Sequence, residues 1–343
     1  MTNELKDIIQ TCKDAGNLAI LDSFLKSVPK IKPYRKSVCS ISGGSDSDIM
    51  LDIIAKLDPW KKVKYVFFDT GIEYKATKIH LEYLEKKYGI IIDRVKAITP
   101  VPLGCKRYGV PFWSKHVSEM IERLQRANFR WEDKSLDELL KEYPKCKAAL
   151  RWWCNDFGEW SRFNINYVRG LKEYMIVNPP TFKISNKCCK GAKKDNAKKY
   201  LLENDADLNL VGVRKAEGGI RSAAYKSCFD AADEKEPWDN YRPIFWYTDG
   251  DKEIYEELFG VTHSACYSVY GLRRTGCAGC PFGKDFEAEL EIARTHEPEL
   301  YAAINNIFGD SYEYTRNFYK FREELNSLSS YERVTSRDEE VEE

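Results

Sequence analysis

The sequence has few histidines, no net charge and no long apolar run. Its four histidines, none in an HExxH arrangement, argue against a His-rich zinc hydrolase. Because 54 Lys and Arg side chains balance 54 Asp and Glu side chains, any basic site must be local. No stretch approaches the length of a membrane span, and the N-terminus lacks a basic region followed by an apolar run. We therefore expect a cytoplasmic protein with no membrane partner.

What the sequence does contain is enough apolar material for a large core and an unusual number of cysteines. Of its 343 residues, 43% are hydrophobic, which excludes a disordered chain. The eleven cysteines would stay reduced in the cytoplasm, where disulfide frameworks are rare. Metal ligation, catalysis or simple burial remain as their roles.

The first hundred residues alternate between two kinds of hydrophobic pattern. Short β-prone runs lie at 36–42, 63–69 and 90–97, and helical spacing of apolar residues follows at 48–57 and 74–88. This alternation predicts an α/β fold with a doubly wound parallel sheet, in which ligands bind at the carboxyl ends of the strands.

The pattern along the rest of the chain predicts three regions. We expect a helical lead-in over 1–33, an α/β domain over 34–283, and C-terminal helices with an acidic tail over 284–343. A helical, loop-rich insertion at about 100–205 interrupts the α/β domain, and an apolar strand at 208–213 rejoins the sheet.

A glycine-containing loop with the sequence SGGSDS separates the first predicted strand from the first predicted helix of the sheet. In this position a phosphate meets backbone N–H groups and the positive end of a helix dipole. Asp46 supplies a carboxylate for Mg²⁺. The structural alternative is a turn with a Ser or Asp helix cap. The predicted phosphate contacts are Ser42, Gly43, Gly44, Ser45, Asp46 and Ser47.

SGGSDS resembles the SGGxDS pyrophosphate loop of N-type ATP pyrophosphatases, in the adenine nucleotide α-hydrolase-like superfamily. The segment FFDTG at 67–71, with Glu73 nearby, resembles the phosphoadenosine phosphosulfate (PAPS) reductase branch. The similarity covers roughly 36–97 and 208–283. It implies that ATP is cleaved between its α and β phosphates, so that AMP is transferred and pyrophosphate released. It further implies nucleotide contacts from the backbone around Cys39, Ser40 and Ser42, and from Asp69, Thr70 and Gly71.

A CC pair and a distant CxxC supply four thiols, enough for a tetrahedral site that suits either [4Fe–4S] or zinc. The combination resembles the CC…CxxC motif of assimilatory adenylylsulfate reductases, which implies a [4Fe–4S] cluster. Structural zinc and unmetallated thiols are the alternatives. The predicted ligands are Cys188, Cys189, Cys277 and Cys280. Competing ligands are Cys154, Cys228 and Cys266, whereas Cys12, Cys39, Cys105 and Cys146 are interpreted as small buried groups.

Two arginines and a glutamate follow the strand at 208–213. Arg214, Glu217 and Arg221 resemble the G-x-R-x-x-E…R stretch of PAPS reductase relatives, which implies a catalytic role together with Asp46. Guanidinium groups can bind phosphate or sulfate with two hydrogen bonds. A purely structural ion pair is the alternative.

Other basic and aromatic groups suggest how an anionic substrate would be bound. The lysines around the CC pair, including Lys193 and Lys194, form either a cationic entrance or a solvated helix face, and Arg273 and Arg274 precede the CxxC. Between Arg151 and Phe163, tryptophans and phenylalanines alternate with arginines. These aromatic residues either stack bases of a single strand or form a buried helix stripe.

The type of reaction is inferred from two features, a missing C-terminal cysteine and an intact phosphate loop. Sulfonucleotide reductases carry a nucleophilic cysteine in a C-terminal Glu-Cys-Gly segment, and no cysteine follows Cys280 here. The intact loop favours an Mg-dependent ATP pyrophosphatase that adenylates a substrate for sulfur transfer, as in nucleic-acid thiolation or phosphorothioation. The partners would be an adenine nucleotide, a sulfur donor protein or thiol reductant, and a nucleic acid as one candidate substrate. The alternatives are an adenylylsulfate or PAPS reductase that uses an external thiol, and a nucleotide- and Fe–S-binding regulatory subunit.

Overall fold

The computed structural model describes residues 3–59, 61–218, 225–283 and 285–339. Its internal contacts divide the chain into two compact units. Unit 1 comprises Met1–Pro100, Gly191–Ala278 and Glu289–Leu300, and unit 2 comprises Val101–Lys190, Gly279–Ala288 and Tyr301–Glu343. The domain boundaries expected from the sequence stay a prediction.

Unit 1 contains a six-stranded sheet, which confirms the predicted α/β class. Its strands are β1 Ser37–Ile41, β2 Lys64–Asp69, β3 Ile92–Lys96, β4 Leu208–Val211, β5 Phe229–Asp230 and β6 Asp239–Tyr241. Their order is β3-β2-β1-β4-β6-β5, and only β5 runs antiparallel to its neighbour. Since the chain moves outward in opposite directions from β1, the switch point between β1 and β4 opens a crevice at their carboxyl ends.

The central strands could be predicted from the sequence because they are buried. In β1 the side chain of Cys39 lies opposite Tyr65 of β2 and Leu210 of β4, and all three are buried. Strands covered on both faces read as continuous apolar runs. The edge strand β5 and its neighbour β6 are short and together have polar residues at most positions, so hydrophobicity did not reveal them.

Several helices lie wholly within unit 1. They are Asn3–Asp14, Leu18–Ile31, Ser45–Leu57, Lys75–Tyr88, Asp195–Glu203, Asp249–Phe259 and Ala265–Ser268. Apolar residues of the first two helices pack with Ile49 and Ile53 of Ser45–Leu57, so the predicted helical lead-in buries its apolar face within unit 1. The helices Phe286–His296 and Pro298–Glu339 have residues in both units.

Unit 2 is built from short helices and loops around an aromatic core. Its helices are Val101–Tyr108, Lys115–Arg126, Leu136–Glu142, Lys147–Trp153, Leu171–Val177 and Lys187–Cys189. Trp152 and Trp153 are fully buried in this core, which confirms the helix-stripe interpretation for these two residues and excludes base stacking for them. In the described ranges no helix combines the length and apolar character needed to cross a membrane.

Candidate functional site

The SGGSDS loop follows β1, and the helix Ser45–Leu57 begins inside it. Gly43 has φ +69°, and a Cβ added to it would lie 2.6 Å from Cγ2 of Thr77. Only glycine adopts this conformation without strain and leaves room for Thr77. The backbone is thereby turned so that the start of the helix faces the crevice at the carboxyl end of β1.

Three backbone N–H groups of the loop point at hydroxyl oxygens. The amide of Ser42 donates to Ser47 Oγ at 3.2 Å, that of Gly44 to Ser42 Oγ at 3.3 Å, and that of Ser45 to the Tyr267 hydroxyl at 3.0 Å. A phosphate oxygen can replace a hydroxyl as acceptor without leaving the donor unpaired. The loop therefore offers an anion a set of donors at a helix N-terminus.

Asp46 lies at the centre of a compact charge cluster in the first turn of this helix. Its Oδ1 is 2.9 Å from Nε of Arg214 and 2.8 Å from Nζ of Lys252. Lys252 also donates to Ser45 Oγ at 2.7 Å, and Asp249 binds the other arm of Arg214 at 2.9 Å. The Arg214 side chain is only 7% exposed, so this charge is held in place and poorly hydrated.

Lys252 and Tyr267 belong to the loop's surroundings but were not identified from the sequence. Lys252 occupies the start of the helix Asp249–Phe259, the end at which a cation is disfavoured by the helix dipole. This unfavourable position is a weak sequence signal, because the dipole acts mainly on the first turn of a helix. Tyr267 lies in a short helix and carries no comparable sequence signal.

The predicted basic loop after β4 is placed against the phosphate loop. Gly212 allows this approach, since a Cβ there would lie 3.2 Å from the Asp46 carbonyl oxygen. Glu217 accepts a hydrogen bond from the Arg214 backbone amide at 3.3 Å. Arg221, the third predicted catalytic residue of this stretch, lies outside the described residues.

A cavity of about 660 Å³ opens over the loop within unit 1. The predicted site residues that line it are Ser40, Ser42, Gly44, Ser45, Asp46, Ser47, Arg214 and Glu217. Five cations that line it besides Arg214 are Lys193, Lys194, Lys252, Arg273 and Arg274. The remaining predicted nucleotide contacts, Cys39, Gly43, Asp69, Thr70 and Gly71, are not among the described residues of its lining. The cavity is large enough for a nucleotide and is strongly cationic around the phosphate loop.

The turn after β2 is a hydrogen-bonded carboxylate cluster. Glu73 accepts from the Thr70 amide at 2.7 Å, and the Gly71 amide donates to Asp69 at 2.9 Å. Burial and the neighbouring Asp69 raise the pKa of Glu73. Burial opposes ionisation of Asp69 as well, but its hydrogen bonds and Lys78 lower the Asp69 pKa. Asp69, Thr70 and Gly71 therefore form a rigid turn beside the cavity-lining Glu73.

A buried network lies behind the phosphate loop. Asp48, which is fully buried, contacts Nε2 of His80 at 3.0 Å and Nδ1 of His263 at 2.8 Å. His263 Nε2 lies 2.9 Å from Glu256. Burial acts to lower the His263 pKa, but the two carboxylates outweigh it and raise that pKa to about 9. A protonated His263 thus anchors the segment that carries Tyr267 to the loop helix.

The predicted cluster cysteines are distributed over both units. Cys188 lies in unit 2, where it interacts with Cys189 and Cys280. It also shares a hydrogen bond with Cys105, which together with burial raises the Cys188 pKa. Cys277 lies in unit 1, with its Sγ 3.5 Å from Thr70 Oγ1. Cys105, interpreted from the sequence as a small buried group, is indeed buried, and its contact with Cys188 was not foreseen.

The two inorganic cofactors expected from the sequence differ in how well the side chains fit them. For Mg²⁺, Asp46 supplies a carboxylate beside the donors that would hold phosphate oxygens, which is the usual combination for this ion. For the cluster, the thiol chemistry is suitable. Within the described ranges, however, no three His, Cys, Asp or Glu side chains are arranged to hold a metal ion.

Comparison with known proteins finds a family match for the part of the chain that holds the phosphate loop. Residues 36–151 match the model of the phosphoadenosine phosphosulfate reductase domain. An uncharacterized protein of Methanocaldococcus jannaschii is 24% identical over 83% of this chain, and the chain spans 43% of that protein's length. An uncharacterized 37.8 kDa protein of Escherichia phage 186 is 26% identical over 80% of the chain and 78% of its own length.

Two solved enzyme structures align with this chain at low sequence identity and low TM-score. PAPS reductase from Candida auris, in a phosphate complex, is 13% identical, with a TM-score of 0.40 over 73% of this chain and 86% of its own. The U34-tRNA thiolase NcsA from Methanococcus maripaludis, solved with its [4Fe–4S] cluster, is 10% identical, with a TM-score of 0.35 over 92% and 80%. The resemblance identified in the sequence is confirmed by the family match: residues 36–151, which hold the phosphate loop and the first three strands, carry the pattern of the phosphoadenosine phosphosulfate reductase domain.

Proposed function

We propose that this protein is an ATP pyrophosphatase that adenylates an oxygen of its substrate and so prepares that position for sulfur transfer. The observation that carries the proposal is the convergence of Arg214 and Lys252 on Asp46, at the start of the loop helix. Two cations, three loop N–H groups and the positive end of a helix dipole meet at the same place. That arrangement suits a strongly anionic leaving group such as pyrophosphate.

In the first step the substrate oxygen attacks the α-phosphorus of ATP. The bond between the α-phosphorus and the oxygen bridging to the β-phosphorus breaks, and pyrophosphate leaves with the bonding electrons. The loop amides and the hydroxyls of Ser42 and Ser47 bind the β and γ phosphates, while Arg214 and Lys252 stabilise the charge that develops on the leaving group. Mg²⁺, held by Asp46, would supply further charge neutralisation.

In the second step a sulfur nucleophile replaces the activated oxygen. A thiolate or persulfide from a donor protein or small thiol forms a bond to the atom that carries the adenylated oxygen, and AMP leaves with that oxygen. This chain's contribution is to hold the adenylate and exclude water. No part of this step is assigned to the cysteines near Cys188.

A second candidate, supported by the matched domain, is an adenylylsulfate or PAPS reductase with an external thiol. In that reaction the thiol attacks the sulfate sulfur, the bond from sulfur to the phosphate oxygen breaks, and the nucleotide leaves with that oxygen. A second thiol then attacks the sulfur of the first, which releases sulfite and leaves a disulfide. The two candidates are separated by their products, since pyrophosphate is formed in one and sulfite in the other.

The deciding experiment uses full-length protein purified without oxygen. Pyrophosphate release from Mg·ATP is measured with RNA, DNA and small-molecule pools, and ATP affinity is compared with that of adenylylsulfate and PAPS. We expect pyrophosphate rather than phosphate as product, and ATP to bind at least as tightly as either sulfonucleotide. A marked preference for PAPS with thiol-dependent sulfite release would establish the reductase instead.

A further inference from the structure

The loop at 157–169 in unit 2 presents three aromatic side chains to solvent. Trp160 is 95% exposed, Tyr167 is 68% exposed and Phe163 is 44% exposed. Large aromatic residues are usually buried, and tryptophan above all has much area to lose from water. Unlike Trp152 and Trp153, these residues contribute little to the core of unit 2 and are available for a ligand.

Hydrogen bonds hold this loop in one conformation. The buried Asn164 side chain accepts from the Phe157 amide at 3.0 Å and donates to the Gly158 carbonyl at 2.8 Å. Asn155 accepts from the Asn166 amide at 3.0 Å. The loop is therefore preorganised, which lowers the entropic cost of binding through its exposed rings.

The backbone of Trp160 and the packing of Phe163 also hold these rings at the surface. Trp160 has φ +58°, a conformation that bulky residues rarely adopt. Phe163 packs its ring against His116 and Phe157, with ring centroids 5.4 and 6.1 Å away, and its other parts stay exposed. Phe163 is thus a fixed platform rather than a free side chain.

The loop is also cationic. Arg162 and Arg169 are exposed, and neither pairs with a carboxylate in the described part of the chain; the guanidinium of Arg162 lies 5.1 Å from the Phe163 ring. Nearby, Asp156 is already bound by Arg151 at 2.6 Å. The only acidic residue within the loop is Glu159, so its two arginines leave a net positive charge.

We propose that this loop binds single-stranded nucleic acid. Bases stack on Trp160, Phe163 and Tyr167, and Arg162 and Arg169 contact the phosphates between them. Exposed rings interleaved with unpaired cations match a polymer that alternates flat apolar bases with negative charges. An apolar peptide would leave the cations without partners. The proposal does not depend on adenylation, and it is tested without ATP.

Binding is measured by fluorescence anisotropy with labelled oligouridine and oligothymidine of about 12 nucleotides, the size of a typical single-strand site. A duplex of the same length is the comparison. We expect W160A to bind about fivefold to 150-fold more weakly than wild type, the factor that corresponds to about 1–3 kcal/mol for the stacking of one base. W160F should retain most of the affinity, and W246A, which removes another exposed tryptophan, should bind normally.

The arginines are tested through salt dependence. Loss of two phosphate contacts in R162Q/R169Q should reduce the slope of log affinity against log salt by about 1.4. Comparable affinity for duplex, wild-type affinity in W160A, or no oligonucleotide binding by folded wild-type protein would each overturn the proposal. The RNA and DNA arms show which polymer is preferred. Because ATP is absent, these outcomes are separate from any failure to release pyrophosphate.

Discussion

Lys252 Nζ lies 2.8 Å from Oδ1 of Asp46, the same oxygen that Arg214 Nε contacts at 2.9 Å. Two cations thus share one carboxylate oxygen at the entrance to the phosphate loop. An anionic ligand arriving here competes with Asp46 for both of them, and a metal ion competes with both of them for Asp46. Metal and phosphate binding should therefore support each other. A bound metal ion draws Asp46 away from the two cations, which are then free to bind phosphate, and a bound phosphate draws the cations away from Asp46, which is then free to bind the metal.

The first prediction concerns Lys252 itself. In K252Q we expect ATP and pyrophosphate to bind about tenfold more weakly, because a partly buried charge-assisted contact to the ligand is lost. Isothermal titration calorimetry measures both affinities. K64Q, a change at an exposed lysine on β2, is the matched control and should bind as wild type. Equal affinities in K252Q and wild type would remove Lys252 from the site.

The second prediction separates the two roles of Asp46. In D46N the cations lose their carboxylate partner, so metal-free pyrophosphate, measured in the presence of a chelator, should bind more tightly than in wild type. Mg·ATP should bind at least tenfold more weakly, because a metal ligand is lost. If both affinities fall, Asp46 supports the loop structurally; if Mg·ATP affinity is unchanged, Asp46 does not hold the metal.

The phosphate loop could be predicted because all of its features are contiguous in the chain: a buried strand, two glycines and a helix start. Lys252 and Tyr267 lie more than 200 residues from Ser45, and only the fold brings them to it. Likewise Cys105 sits in an ordinary helical sequence, and its proximity to Cys188 depends on how unit 2 packs. Sequence patterns report local geometry well and such long-range contacts poorly.

The third prediction tests the steric role of Gly43. In G43A we expect the free energy of unfolding to fall by about 1–3 kcal/mol, from backbone strain at positive φ and from the clash with Thr77 Cγ2. Adding T77S removes that methyl group and should recover the part due to the clash, leaving the part due to strain. Denaturant melts of G43A, T77S and the double variant measure this coupling. Additive effects in the double variant would contradict the predicted contact.

The fourth prediction concerns pH and His263. Because its pKa in the folded protein is raised to about 9, above the value of an unfolded histidine, its stabilising contribution is complete below the unfolded pKa. That contribution is lost as pH rises towards 9. The melting temperature of wild type should therefore fall more steeply than that of H263Q between about pH 7 and pH 9.5. H296Q, which changes a histidine far from this network in sequence, should follow the wild-type curve. Parallel curves for wild type and H263Q would contradict the proposed charge.

The last prediction concerns the cysteines, where sequence motif and structure emphasise different thiols. The motif implies ligands at Cys188, Cys189, Cys277 and Cys280, whereas Cys188 in the structure also interacts with Cys105. If the motif is right, protein purified without oxygen is brown, contains about four irons and four sulfides per chain, and loses them in serine variants of those four residues. C105S should keep its iron, as should the control C146S.

The reverse pattern, with iron lost in C105S and kept in C277S, would place the ligands in unit 2 alone. A colourless protein with one tightly held metal would indicate structural zinc instead. Whether the metal is iron or zinc, its ligand thiols are deprotonated. Removal of the metal should reprotonate Cys188 and restore its hydrogen bond with Cys105. Because metal binding contributes to folding, the melting temperature should fall. Protein that stays metal-free after anaerobic reconstitution would contradict both metal assignments, and the thiols around Cys188 would then be packing groups.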